Sequence, residues 1–135
     1  MGYKIEDVEG IGPAYAAKLA EVGITNTNHF LKLCCDRKGR KDVAAKTDIS
    51  EKHLLKWANL ADLMRIRGVG PQFSELLEAA GVDTVKELRN RNSDNLAAKM
   101  KEVQAEKRIT RTSPAASVVA GWVEQAKAAE PLITH

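Results

Sequence analysis

The 135-residue chain carries 21 basic and 18 acidic side chains, so its net charge at neutral pH is only +3. This weakly basic balance permits a polyanionic partner but does not require one, and no apolar run is long enough to predict a membrane span. Aromatic residues make up 4% of the sequence, so the core must be built from Leu, Val, Ile and Ala, a composition that favours helix over sheet.

A glycine-rich phrase, Glu9-Gly10-Ile11-Gly12-Pro13, follows a short helix predicted over residues 4–8. Two glycines allow a tight turn whose backbone N–H groups stay uncovered, and proline suits the first position of a helix. We therefore predict a helix from Pro13 to about Val22, ended by Gly23 in a left-handed conformation. Residues 9–13 are named the first glycine segment. Within it, we expect Gly12 to need a conformation or a close approach that a side chain would spoil.

Two further helices are predicted before the middle of the chain. Oxygens in residues 25–27 can cap a helix near residues 28–36, and residues 37–41 are interpreted as a basic loop before a short helix near residues 42–46.

Cys34 and Cys35 are adjacent, and a disulfide between neighbours is strained. We expect both thiols to be reduced and partly buried on a helix.

A turn without glycines is predicted at residues 47–50. Asp48 and Glu51 have the spacing of a capping box, which predicts the start of a long helix from Glu51 to about Met64. At helical spacing, Trp57 falls on the apolar face of this helix and is interpreted as a core anchor.

The glycine phrase then recurs as Arg67-Gly68-Val69-Gly70-Pro71, 58 residues after its first occurrence. The flanking residues repeat with it, since Tyr15 corresponds to Phe73 and Gly23 to Gly81 at the same offset. Residues 67–71 are named the second glycine segment. They predict a helix over residues 71–80, and Gly70 is expected to be as constrained as Gly12.

The second half continues with three predicted helices. Thr84 and Glu87 have capping-box spacing and open a helix to about residue 90, and Asn92 or Ser93 caps a longer one to about residue 107. The last helix is predicted from residues 113–114 to about residue 129. Trp122 follows Trp57 by 65 residues, whereas the glycine phrases are 58 residues apart. The second half therefore carries about seven extra residues, which we place in residues 90–112.

The two glycine segments with their flanks, residues 3–24 and 61–82, resemble the helix-hairpin-helix motif. The stretches 47–57, 61–70 and 80–88 resemble a bacterial family of small tandem helix-hairpin-helix proteins, described as a domain of unknown function. The resemblance implies an all-α fold of two pseudo-repeats, each a Gly-x-Gly-Pro hairpin plus a degenerate partner hairpin. The expected lobes are residues 1–62 and 63–135, sharing the helix over residues 51–64.

Functionally, the resemblance implies a non-catalytic module that binds the backbone of nucleic acid, duplex DNA above all, without sequence specificity. In such proteins hairpin N–H groups, aided by a helix N-terminus, contact a phosphate. A protein–protein adaptor on the same scaffold is the alternative. Some relatives hold a monovalent cation at hairpin carbonyls, and the sequence leaves open whether this chain does. We expect no cofactor and no metal site built from side chains, since the chain has no Cys-x-x-Cys and no zinc-spaced histidines.

Charge distinguishes the two glycine segments. Arg65 and Arg67 accompany the second, whereas Glu6, Asp7 and Glu9 flank the first and would repel a phosphate. Basic residues elsewhere, including those of residues 99–111, are interpreted as solvated helix faces alternating with acidic neighbours. The candidate nucleic-acid-binding residues are Arg65, Arg67, Gly68, Val69, Gly70, Gln72, Lys86, Arg89, Gly10, Gly12 and Lys18.

No catalytic arrangement is evident. His29, His53 and His135 have no Ser or Cys at a motif spacing, and neither glycine segment has the third glycine and preceding strand of a phosphate-binding loop. The N-terminus lacks an apolar signal segment. We therefore expect a non-enzymatic, cytoplasmic protein without a membrane partner, and the sequence leaves its oligomeric state open.

Overall fold

The computed structural model describes residues 2–135, which form an all-α protein as predicted. In this described part there is no strand, and Lys4 and Asn26 form an isolated bridge. A short 3-10 helix at Ile5–Asp7 precedes the α-helices. The eight α-helices of the described residues are α1 (Pro13–Ala20), α2 (Thr27–Cys34), α3 (Arg37–Thr47), α4 (Glu51–Leu63), α5 (Pro71–Ala79), α6 (Val85–Leu88), α7 (Ser93–Lys107) and α8 (Ala116–Ala128).

The described residues group into two compact units. The first contains the chain through Asp62 together with Leu132–His135, and the second is Leu63–Pro131. The boundary falls at the last residue of α4. Whether the predicted lobes, residues 1–62 and 63–135, fold as separate domains stays a prediction.

The first unit buries the apolar faces of its helices, and α2 packs against α3. The basic residues 37–41, predicted to be a loop, instead belong to α3. Asp36 makes this helix start early, because its side chain accepts a hydrogen bond from the N–H of Gly39 at 2.7 Å. The basic run was therefore interpreted wrongly: a single N-cap carboxylate is enough to begin a helix despite a glycine in its first turn.

Arg40 of α3 is almost completely buried, with 3% of its surface exposed. Its guanidinium donates to the carbonyl oxygens of Cys34 at 3.0 Å and Thr134 at 2.6 Å. The N–H of Thr134 donates in turn to the Cys35 oxygen at 2.8 Å. These bonds hold Leu132–His135 to the first unit.

The cysteines are free thiols, and Cys34 lies buried in α2 as expected. Burial raises the pKa of the Cys34 thiol to about 12, so this side chain is uncharged at neutral pH. A buried neutral thiol behaves as a small apolar group in the core.

The turn between α3 and α4 differs from its prediction. Asp48 does not cap α4; it ends α3 in a left-handed conformation, with φ of 60°. The helix start is instead marked by Ser50, whose hydroxyl oxygen accepts the N–H of His53 at 3.2 Å. Both Asp and Ser are good N-cap residues, so spacing alone selected the wrong one.

The second unit has a continuous apolar core. Around it, α8 packs against α6 and α7, and α5 packs against α7. The Thr84 hydroxyl oxygen accepts a hydrogen bond from the N–H of Glu87 at 3.3 Å, which is the N-cap bond of the predicted capping box. The Glu87 carboxylate is engaged by Arg91, at 3.1 and 2.9 Å. Asn92 caps α7 as predicted, whereas α8 begins only at Ala116 rather than at residues 113–114.

Candidate nucleic-acid interface

The two glycine segments are built in the same way in their separate units. Gly10 and Gly68 have positive φ values of 93° and 94°. A Cβ at Gly10 would lie 3.0 Å from Nε1 of Trp57, and one at Gly68 would lie 2.9 Å from Nε1 of Trp122. Each first glycine thus provides both a left-handed turn and close contact with a tryptophan, and neither role tolerates a side chain.

The second glycine of each segment has a different role from the one expected. Gly12 and Gly70 have φ values of −80° and −93° and are the N-cap residues of α1 and α5. A Cβ at Gly12 would meet nothing within 4 Å. The prediction that these two positions exclude a Cβ is therefore wrong for Gly12, because the turn is made at Gly10. Gly23 and Gly81 have positive φ as predicted.

Both tryptophans are core residues, as predicted, with 2% of Trp57 and 3% of Trp122 exposed. The Tyr15 ring meets Trp57 edge-on at a centroid distance of 4.9 Å, and His53 stacks on the same ring at 5.5 Å. Phe73 lies 5.4 Å from Trp122. The aromatic pairs fix the helices around each glycine segment.

The starts of α1 and α5 share a glycine N-cap followed by a proline. Glycine cannot cap with a side chain, and within the described residues neither helix receives a side-chain cap. Helix-start N–H groups without a capping side chain favour a negative ligand. By contrast, Val69 is fully buried and its N–H donates to the Ile66 oxygen, so its side chain belongs to the core.

Arg67 is exposed beside the second glycine segment, and its backbone is held by Gln125 of α8. The Arg67 N–H donates to Oε1 of Gln125 at 2.8 Å, and Nε2 of Gln125 donates to the Arg67 oxygen at 3.2 Å. Arg65 is half-buried, and its guanidinium donates to the Glu130 carbonyl at 2.9 Å. Arg67 is therefore the basic residue whose charge is presented to solvent, while Arg65 supports the fold.

The other candidates are distributed over both units. Gln72, exposed at the start of α5, lines an open groove of about 320 Å³ with Gln104, Arg108, Ile109, Thr110 and Arg111. Lys86 is exposed on α6 and Arg89 follows that helix; neither lines this groove. In the first unit, Gly10, Gly12 and Lys18 are exposed.

Sequence reasoning missed three residues at this surface. At the 65-residue offset Gln125 corresponds to Leu60, a buried apolar residue. Comparison of the two halves therefore gives no indication that Gln125 lies at this surface. Arg108 and Arg111 were interpreted only as part of a solvated basic run, although they line the groove beside Gln72. Their proximity arises from α5 packing against α7, which spacing along the chain does not reveal.

Residues 2–135 contain no group of three or more His, Cys, Asp or Glu side chains arranged to hold a metal ion. None of their helices combines the length and apolar character needed to cross a membrane.

No curated protein and no solved structure matches the chain significantly. A family model does match, over residues 9–129, and these residues include both glycine segments and both tryptophans. The chain belongs to the family described as Domain of unknown function (DUF4332).

Proposed function

We propose that the chain is a non-catalytic, sequence-nonspecific nucleic-acid-binding module of tandem helix-hairpin-helix lobes. Its second glycine segment would contact the phosphates of duplex DNA. The observation that carries this proposal is an inversion of charge between equivalent positions. Asp7 and Glu9 of the first unit correspond to Arg65 and Arg67 of the second at the 58-residue offset.

This inversion is informative because the local backbone is the same in both units. The first glycines have nearly equal φ, and each contacts its tryptophan. Arg65 supports the fold through the Glu130 carbonyl, but no scaffold requirement explains why the exposed position is acidic in Glu9 and basic in Arg67. Binding of a phosphate by the second copy does, because a basic side chain attracts the anion that an acidic one repels.

The expected contacts explain the absence of sequence specificity. The N–H groups at the start of α5 and the exposed Arg67 side chain are donors suited to phosphate oxygens. Contacts to phosphate fix the position of a protein on DNA but read no base. Such a module would operate in a bacterial cytoplasm, where duplex DNA is within reach.

A protein–protein adaptor is the second candidate, and the first unit favours it. An open groove of about 330 Å³ beside α1 is lined mainly by small apolar residues. Its lining residues are Ile5, Glu6, Pro13, Ala16, Ala17, Ala20, Ile24 and Thr25. Such a surface, with acidic Glu6 in its lining, suits a protein segment better than a phosphate backbone.

The proposal predicts that the chain binds duplexes of unrelated sequence with similar affinity. Fluorescence anisotropy with several labelled duplexes, at about 50 mM salt and at physiological salt, measures this directly. Affinity should fall steeply with salt because bound counterions are released when phosphates are contacted. No binding at about 50 mM salt, where nonspecific contacts are strong, would reject the proposal and leave the adaptor as the leading function.

A further inference from the structure

The groove beside Gln72 is a second basic feature of the second unit, separate from Arg67. It lies between the start of α5 and the loop that follows α7, and its charged lining residues are Arg108 and Arg111. Both side chains are exposed. Gln72 directly follows Pro71 in sequence, so the groove adjoins the second glycine segment.

The loop that carries the two arginines is held by its own hydrogen bonds. Nε2 of Gln104 donates to the carbonyl oxygens of Thr110 at 2.8 Å and Arg111 at 3.4 Å. The Thr110 hydroxyl donates to the Thr112 oxygen at 2.6 Å. Little backbone ordering would therefore be needed when a ligand binds at this loop.

Arg108 has a counterpart in the first unit. Arg108 and Asp48 are the two non-glycine residues with positive φ among residues 2–135, at 53° and 60°. Each ends a helix, and each donates its N–H to the carbonyl four residues earlier, at 2.8 Å for Arg108 and 2.9 Å for Asp48. Each closes the third α-helix of its unit, and there the first unit has an acid and the second a base.

We propose that Gln72, Arg108 and Arg111 form a phosphate-contact site for the duplex backbone, additional to the second glycine segment. The inference rests on the proposed nucleic-acid function and extends its contact surface. Guanidinium groups bind phosphate oxygens in bidentate geometry, and the Gln72 amide adds a further donor. Arg108 and Arg111 give this site the same sign of charge as Arg67, whereas the first unit has Asp48 at the end of its third α-helix.

Because Arg108 has a left-handed conformation, one substitution there should raise the thermal stability of the protein and lower its affinity for duplex. Arg108→Gly should raise the melting temperature, because glycine adopts this conformation without strain. The same change should weaken binding of a labelled duplex, and with Arg111→Gln the loss should reach about tenfold with a shallower salt dependence. Asp48→Gly is the matched control: it should also raise the melting temperature but leave duplex affinity unchanged.

The outcomes separate this site from the broader proposal. If the wild-type chain binds duplex but Arg108→Gly with Arg111→Gln binds equally well, the groove proposal is overturned and the nucleic-acid function stands. If the wild-type chain binds no duplex, the proposed function fails, and this site with it. Inorganic phosphate alone should show no measurable binding by isothermal titration calorimetry; tight binding of free phosphate that Arg108→Gly with Arg111→Gln abolishes would assign the groove to free phosphate instead.

Discussion

Replacing Trp122 with alanine is expected to lower the free energy of unfolding by about 3–5 kcal/mol, the usual loss for deleting a buried aromatic side chain. The ring is 3% exposed, lies among the core residues of the second unit and packs against Phe73. It also lies directly over Gly68. Alanine would therefore leave a cavity beneath the second glycine segment as well as remove apolar burial.

Urea denaturation followed by far-ultraviolet circular dichroism measures this loss. Trp122→Phe is the matched control, since it keeps an aromatic ring and should cost less than the alanine variant. The chain has two tryptophans, so the fluorescence of Trp57 still reports on the first unit in either variant. A loss below about 1 kcal/mol for Trp122→Ala would mean that the ring does not anchor the core.

Gly68→Ala is expected to destabilise the protein by about 2–4 kcal/mol, from a left-handed conformation and an overpacked contact together. The added Cβ would lie 2.9 Å from Nε1 of Trp122, closer than van der Waals contact permits. The indole cannot move aside easily, because it is enclosed by the core. Gly10→Ala should behave in the same way against Trp57 in the first unit.

The control for this prediction is Gly12→Ala, two residues after Gly10 in the same turn. Gly12 has an ordinary φ and open space around its Cβ position. Alanine there should cost no more than about 1 kcal/mol, the difference between glycine and alanine at an N-cap. Equal losses at Gly10 and Gly12, measured by thermal denaturation, would show that the turn is not built on the first glycine.

Local signals explain why the repeat was predictable from sequence. Gly81 follows the C-cap of α5, Gly23 follows α1 by three residues, and both adopt the left-handed conformation that favours glycine. Pro13 and Pro71 begin helices where no N–H is needed. Trp57 and Trp122 fall at helical spacing on apolar faces and are buried. Each of these outcomes depends on interactions within a few residues or on one face of one helix.

The errors arose where competing local interactions had to be ranked. Asp36 and Asp48 are both potential N-caps, yet Asp36 starts α3 while Asp48 ends it. Gly10 and Gly12 are both glycines of one turn, and their roles differ because Gly10 alone has a positive φ and contacts Trp57, 47 residues away in sequence. Tertiary packing decides such cases, and spacing alone does not.

The candidate site was predictable only in part. The basic character of the second glycine segment was evident from Arg65 and Arg67, but their different roles depend on Glu130 and Gln125, which lie far along the chain. The groove formed with Arg108 and Arg111 depends on the loop after α7. This loop falls within residues 90–112, where we predict the extra residues of the second half.

Phosphate binding at the second glycine segment is tested by the salt dependence of duplex binding, measured for Arg67→Glu and compared with Glu9→Gln. The two positions are equivalent in the repeat and exposed, and Arg67 is preferred to Arg65 because Arg65 supports the fold through Glu130. We predict that Arg67→Glu weakens binding at least about tenfold and lowers the slope of log affinity against log salt by about one. Glu9→Gln should be neutral or mildly favourable. Unchanged affinity and slope in Arg67→Glu, with the fold intact by circular dichroism, would contradict phosphate binding at the second glycine segment.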